Sequence, residues 1–88
     1  MFQIGLIVAT PGALAGLRNA GQSAADFLRR HAVGDWGDLD DHDRAANWSA
    51  LREGGRLLSS YQTARGETLW VITEADRSST CLLLPDEY

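Results

Sequence analysis

The chain has 88 residues, a formal net charge of −4 at pH 7 and a hydrophobic fraction of 44%. A chain of this length forms one domain with a small core, and the composition is that of a globular protein rather than a disordered or membrane-spanning one. All eight basic residues are arginine. The acidity argues against a nucleic-acid-binding surface, and the absence of lysine excludes Schiff-base chemistry and a GxxxxGK[ST] phosphate-binding loop.

The only cysteine is Cys81, so no intramolecular disulfide can form, and we expect a cytoplasmic protein. The apolar N-terminus has no basic residue before Arg18 and is too short to cross a bilayer, so we expect neither a signal peptide nor a membrane anchor. Cys81 alternates with apolar neighbours, which favours a buried small side chain over a reactive thiol. We expect no cofactor and no bound metal.

The first third of the chain predicts a strand followed by a helix. Apolar and β-branched residues alternate from Phe2 to Ala9, which indicates a well-buried strand. Thr10 then supplies a capping hydroxyl before a proline, and Gly21 is a typical helix end. The first helix is therefore predicted at Pro11 to Ala20.

Two further helices are predicted in the middle of the chain. Ser23 to Asp26 resembles a capping box, and apolar residues follow at helical spacing, so the second helix runs to about Val33. Gly34 ends it, and Asp38 is the predicted N-cap of a third helix that reaches about Glu53.

The remaining chain reads as three short strands separated by turn signals, after a break at Gly54 and Gly55. The predicted strands are Leu57 to Thr63, Thr68 to Glu74 and Thr80 to Leu84. The order is thus β-α-α-α-β-β-β in one domain spanning residues 1–88. It predicts an α+β fold, a small mostly antiparallel sheet with helices packed on one face.

Five aspartates lie within the ten residues from Gly34 to Asp43, together with one tryptophan. Acidic side chains this close together must be solvated, cap a helix, bind a cation or face a basic partner. Burying a carboxylate without a partner has a large desolvation free energy. Alternating Asp and His could suit a divalent cation, but the spacing lacks the glycine and glutamate of an EF-hand. The candidate partner-binding residues are Asp35, Trp36, Asp38, Asp40, Asp41 and Asp43.

The three tryptophans are predicted to have different roles. Trp70 lies in mid-strand and Trp48 has apolar residues three positions away on either side, so both are predicted in the core. Trp36 lies in a turn between glycine and aspartate. It either protrudes as a partly exposed contact residue or pins the junction between two helices.

No catalytic constellation stands out in the sequence. His31 near a helix end suits the helix dipole, and His42 lies in a solvated charged stretch. Serine or cysteine triads can be assembled on paper from Ser59, Ser60 or Cys81 with either histidine, but no local signature supports one. The acids and arginine of residues 74–77 are typical of an ordinary turn.

Four segments together resemble one family. They are residues 7–14 (IVATPGAL), 34–39 (GDWGDL), 54–61 (GGRLLSSY) and 69–78 (LWVITEADRS). Nearly the whole chain is similar to small bacterial proteins found on plasmids and integrated mobile elements, a family that supplies no catalytic residue. Some members are labelled as the modification subunit of a type I restriction enzyme. This chain contradicts that label, because it lacks an Asn-Pro-Pro-Tyr-like motif and its only prolines are Pro11 and Pro85.

The leading hypothesis is a noncatalytic accessory or regulatory protein of a mobile element that acts by protein contact. In its sharper form the aspartates meet arginine and lysine in a nucleic-acid-processing or host defence complex, and the protein is an inhibitor or decoy. One alternative is a small metal-dependent hydrolase or nuclease that uses the Asp- and His-rich segment. Another is a structural module that forms a homodimer through an open sheet edge or an apolar sheet face.

Overall fold

A computed structural model describes residues 1–88 and confirms the α+β fold and the predicted order of elements. The elements are β1 (Leu6–Ala9), α1 (Pro11–Ala20), α2 (Ala24–Ala32), α3 (Asp41–Glu53), β2 (Leu57–Gln62), β3 (Thr68–Thr73), β4 (Ser79–Leu83) and a final 3-10 turn (Pro85–Glu87).

The four strands form one mixed sheet in the order β1-β4-β3-β2. The last three strands of the chain are an antiparallel meander, in which Leu58 pairs with Ile72 and Ile72 with Cys81. β1 joins the outer side of β4 in parallel, with Val8 opposite Cys81. Two of the three strand pairs are therefore antiparallel, and β1 and β2 are the two edges.

The three helices lie on one face of the sheet and divide its strands between them. α1 packs mainly on β4, α2 on β3 and α3 on β2, so β1 is the strand without a helix of its own. The main core lies beneath α1 and α2 and consists of Ala13, Leu17, Phe27, Leu28, Tyr61, Leu69, Val71 and Leu82. A smaller cluster of Trp36, Ala50 and Leu57 lies beneath α3.

The first two helices begin and end where their local signals predict. The Thr10 hydroxyl accepts a hydrogen bond from the Ala13 amide at 3.1 Å, and Gly21 ends α1 in the left-handed conformation with φ of 66°. The Asp26 carboxylate accepts from the Ser23 amide at 3.2 Å, as in a capping box. Free amides at these helix ends thereby gain partners.

The prediction of a long, well-buried first strand is wrong. β1 begins only at Leu6, and its first three side chains are exposed. Gly5 has a φ of +69°, and a side chain there would lie 2.5 Å from the carbonyl oxygens of Arg77 and Ser78. The alternation of residues 2–9 is real, but Phe2 packs against the smaller cluster and Ile4 against the main core, ahead of the strand.

None of the helices, of which α3 with 13 residues is the longest, has the length and apolar character needed to cross a membrane.

Candidate functional site

The junction between α2 and α3 contains every residue that the sequence nominates for partner binding. Asp35, the first of them, is fixed by structural contacts. Its carboxylate accepts from the Arg30 guanidinium at 2.7 Å, and its carbonyl accepts from the Tyr61 hydroxyl at 2.6 Å. The hydrogen bond from Arg30 holds the pKa of Asp35 below its usual value. Asp35 therefore ties the end of α2 to the sheet.

Trp36 is a core residue, so of the two possibilities that the sequence leaves open, the pinned helix junction describes its place. Only 2% of it is exposed. Its ring stacks on Phe2, with ring centroids 6.1 Å apart, and meets the edges of His31 and Trp48. The indole N–H of Trp36 is buried without a hydrogen-bond partner. Trp36 can contact no partner while the chain is folded.

The predicted N-cap of α3 is wrong by two residues. The Asp40 carboxylate caps the helix, accepting from the Asp43 amide at 2.8 Å. Asp38 is used differently, because residues 36–38 run along the edge of β2. The Asp38 amide donates to the Ser60 carbonyl at 2.7 Å, and the Ser60 amide donates to the Trp36 carbonyl at 3.0 Å.

The remaining acids share one property, the exposure of their side chains to solvent. The acidic segment comprises Asp38, Asp40, Asp41 and Asp43, all exposed. None of the four forms an ion pair; the ion pairs of the structure join Arg29 to Asp26, Arg30 to Asp35 and Arg56 to Glu74. The nearest cation in sequence, Arg44, donates instead to backbone carbonyls of residues 37 and 39. The acidic segment therefore presents four exposed carboxylates, none of which is held in an ion pair.

An apolar patch adjoins this junction, and it contains Trp48 rather than Trp36. The prediction that Trp48 is a core residue is wrong, since 43% of it is exposed. A side chain built at Gly34 would lie 3.1 Å from both the Met1 methyl carbon and the Trp48 ring. Val33, which precedes Gly34 in the chain, is also exposed, and we refer to Met1, Val33 and Trp48 together as the apolar patch. Trp48 follows Asp41 by seven residues, so both lie on one face of α3.

Sequence reasoning missed the exposure of Trp48, although a signal was present. The helical face of Trp48 also carries Asp41, Ala45 and Arg52. None of these is a large apolar residue, so this face does not have the pattern of a buried helix face. The buried face of α3 is instead formed by Asn47 and Ala50. A tryptophan among charged and small residues at this spacing is typical of an exposed or interfacial position.

A buried polar chain resembles catalytic machinery but has no access to a substrate. His31 is hydrogen-bonded through Nδ1 to the Ser59 hydroxyl at 2.6 Å and through Nε2 to the Thr73 hydroxyl at 2.9 Å. All three residues have no exposed surface. Burial lowers the pKa of His31 to about 4, so the ring is neutral at pH 7. The serine and histidine contact is thus part of the core.

The charged turn between β3 and β4 is also structural. The Arg77 guanidinium donates to the carbonyls of Gly55 at 2.6 Å and of Ala50 at 3.1 Å, which lie at the C-terminal end of α3. It also donates to the carbonyl of Glu74 at 3.0 Å. Arg77 therefore ties the turn to the helix through both of its terminal nitrogens.

The second face of the sheet carries a shallow apolar groove of about 300 Å³, lined by Arg56, Leu58, Trp70, Ile72 and Tyr88. Trp70, predicted in the core, is half-buried there, and the Tyr88 ring meets its edge with centroids 5.9 Å apart.

The free thiol of Cys81, predicted to be buried, is half-buried on the same face of the sheet. Burial raises the pKa of that thiol, which disfavours the reactive thiolate.

No three side chains of His, Cys, Asp or Glu converge as they would around a metal ion. The acidic segment thus extends along a loop and a helix start instead of surrounding a point, and the metal-dependent hydrolase alternative gains no geometric basis from it.

The fold and this surface define a small α+β protein with helices on one face of a mixed sheet and an unpaired acidic segment beside an exposed tryptophan. Comparisons with protein-family models, with curated proteins and with solved structures gave no match.

Proposed function

We propose that the protein is a noncatalytic accessory or regulatory protein that binds a basic protein partner through the acidic segment and the neighbouring apolar patch. One observation supports this most directly. Four exposed carboxylates without an ion pair lie at the start of α3, and Trp48 is exposed on the same helix. Unpaired surface charge of one sign steers a partner of opposite charge, and an exposed tryptophan supplies contact area.

The two parts of this surface favour a partner with arginine or lysine around an apolar anchor. Exposed carboxylates stay solvated until a cation approaches, and the side chains of Asp38 and Asp41 form no ion pair within the chain. The patch of Met1, Val33 and Trp48 would be desolvated in the centre of such a contact. Asp35 and Trp36, although nominated by the sequence, are not part of this contact, because Asp35 is paired with Arg30 and Trp36 is buried.

The resemblance to mobile-element proteins leads us to propose a cytoplasmic partner in a nucleic-acid-processing or host defence complex. Such complexes hold their substrate in channels lined with arginine and lysine. A small acidic protein seated in that channel would act as an inhibitor or decoy. The acidity of the chain, with a net charge of −4, is compatible with this role and unfavourable for nucleic-acid binding by the protein itself.

The test compares two variants with the same change of charge. In the first, Asp38→Lys and Asp41→Lys reverse the acidic segment while leaving the Asp40 cap in place. In the control, Glu53→Lys and Asp86→Lys reverse exposed acids elsewhere. Each variant and the wild type is immobilised as bait in extract of the native host, and bound proteins are quantified by mass spectrometry.

We expect a basic protein that is retained by the wild type and by the control but lost from the Asp38 and Asp41 variant. Its retention should fall steeply with salt, because exposed charge pairs are screened within about 10 Å at 0.1 M ionic strength. For the decoy form, the purified partner should release a labelled DNA duplex when the wild type is added. Equal retention of the same protein by all three baits would show that the acidic segment is not the contact.

A further inference from the structure

The two edges of the sheet differ in whether their outward backbone groups have hydrogen-bond partners. This difference supports an inference that does not depend on the proposed function. At the β2 edge, the outward backbone groups of Leu58 and Ser60 are already satisfied. The Asn47 side chain donates to the Leu58 carbonyl at 2.7 Å and accepts from the Leu58 amide at 3.0 Å. The amide and carbonyl of Ser60 pair with residues 36 and 38. The β2 edge is therefore closed to another strand.

The β1 edge is open along its backbone. The amides of Leu6 and Thr10 donate inward, to the carbonyls of Ser78 and Leu82, each at 3.0 Å. Because backbone groups alternate in direction along a strand, the amides and carbonyls of Ile7 and Ala9 point outward, away from β4. The sheet order ends at β1, so these groups have no strand to pair with. An extended partner strand is the ligand that suits such a row of donors and acceptors.

The side chains of β1 are as open as its backbone. Leu6 is 69% exposed, Ile7 52% and Val8 41%, and these are three consecutive aliphatic residues. Isolated edge strands usually avoid this arrangement by charge, proline or a bulge, and β1 has none of these along Leu6–Ala9. No helix packs mainly on β1, and only Ala9, at the end of the strand, packs against the main core.

We infer that β1 pairs with β1 of a second copy of this chain, antiparallel, forming a two-fold symmetric dimer with one continuous eight-stranded sheet. The strand is uncharged and aliphatic throughout, so it faces an identical strand without like-charge repulsion. Each copy supplies what the other lacks: outward donors and acceptors at Ile7 and Ala9, and apolar cover for Leu6, Ile7 and Val8.

The distribution of charge favours a second copy in particular. Each copy has a net charge of −4, which opposes association of identical chains. The acidic segment, however, lies beside β2, at the edge of the sheet opposite β1. Three strand spacings separate these edges, roughly 14 Å within each copy. Pairing through β1 thus places the two acidic segments at the far ends of the dimer, beyond most of the range of screened repulsion.

The test is sedimentation velocity over a dilution series of the wild type and two lysine variants. Ile7→Lys places a charge on the open edge. Val33→Lys is the matched control, because Val33 is an exposed aliphatic residue outside β1 and the change of charge is identical. We expect wild type and Val33→Lys to dimerise at roughly micromolar concentration, as befits a small interface, and Ile7→Lys to remain monomeric at tenfold higher concentration.

Hydrogen exchange gives a second readout that does not depend on a variant. The outward amides of Ile7 and Ala9 should exchange slowly in concentrated wild type and quickly on dilution, whereas the inward amide of Val8 should be protected in both. Circular dichroism confirms that each variant is folded. Three results would overturn the inference: a wild type that is monomeric throughout, a dimer that Ile7→Lys retains, or a dimer that both lysine variants lose.

Discussion

His31 shows how one buried polar residue is accommodated in a core of this size. The Thr80 hydroxyl donates to the Ile4 carbonyl at 2.7 Å, so it must accept from the Thr73 hydroxyl, 2.7 Å away. Thr73 then accepts from Nε2 of His31, and Nδ1 accepts from Ser59. Each hydroxyl proton is thereby assigned once, and the chain is complete only with a neutral ring protonated at Nε2.

The neutral state of His31 predicts a loss of stability in mild acid. Its pKa is about 4 in the folded protein against 6.5 for an ordinary histidine, so the unfolded chain takes up a proton first as the pH falls. The full contribution is present above pH 6.5 and is lost as the pH falls towards 4. We expect the free energy of unfolding to drop by about 2 kcal/mol between pH 7 and pH 5.

Urea denaturation at several pH values measures this change. His31→Gln, which can still donate and accept, should flatten the dependence between pH 7 and pH 5 even if it lowers stability overall. His42→Gln removes an exposed histidine and serves as the control. A slope unchanged by His31→Gln, or abolished by His42→Gln, would contradict the assignment.

At the scale of elements, the structure separates local signals from long-range ones. The bounds of α1 follow from Thr10, Pro11 and Gly21, all within one short segment, and the sequence predicts them to the residue. The start of α3 does not follow in this way, because Asp38 and Asp40 are equally suitable N-caps by type. The choice depends on the hydrogen bond of Asp38 to Ser60, a contact across 22 positions that no local pattern encodes.

The two aspartates at the start of α3 therefore differ in a measurable way. Asp40→Ala removes the carboxylate that holds the Asp43 amide and should lower the free energy of unfolding by about 1 kcal/mol. Asp38→Ala removes an exposed side chain while its backbone bond to Ser60 remains, so stability should change by less than about 0.5 kcal/mol. Chemical denaturation of both variants measures these changes in the free energy of unfolding. Equal losses would mean that Asp40 is not the N-cap of α3.

At the scale of the whole molecule, the sequence predicts the exposure of the aspartates better than the exposure of the tryptophans. Asp38, Asp40, Asp41 and Asp43 are exposed, as dense acid requires. Trp48 is exposed although the sequence predicts it in the core, because only the folded junction decides that Trp36 is the indole that faces inward. Likewise, alternation within residues 2–9 indicates a strand but does not distinguish an edge from the centre of a sheet. That distinction requires the sheet order, which ends at β1.

The open edge at β1 also predicts how stability depends on protein concentration. A dimer that unfolds to separate chains is favoured by mass action, so its thermal midpoint rises as the protein is concentrated, whereas that of a monomer does not. Once the dimer is the main species, a tenfold increase in concentration should raise the midpoint of the wild type by roughly 3–5 °C. Val33→Lys should follow the wild type, and Ile7→Lys should melt at one temperature throughout. Differential scanning calorimetry across a hundredfold range of concentration makes this measurement.

A wild-type midpoint independent of concentration, in a sample whose dimer is seen by sedimentation, would mean that the copies associate without adding to the stability of the fold. A strand paired along β1 does not allow that result, because the pairing is lost whenever the sheet unfolds.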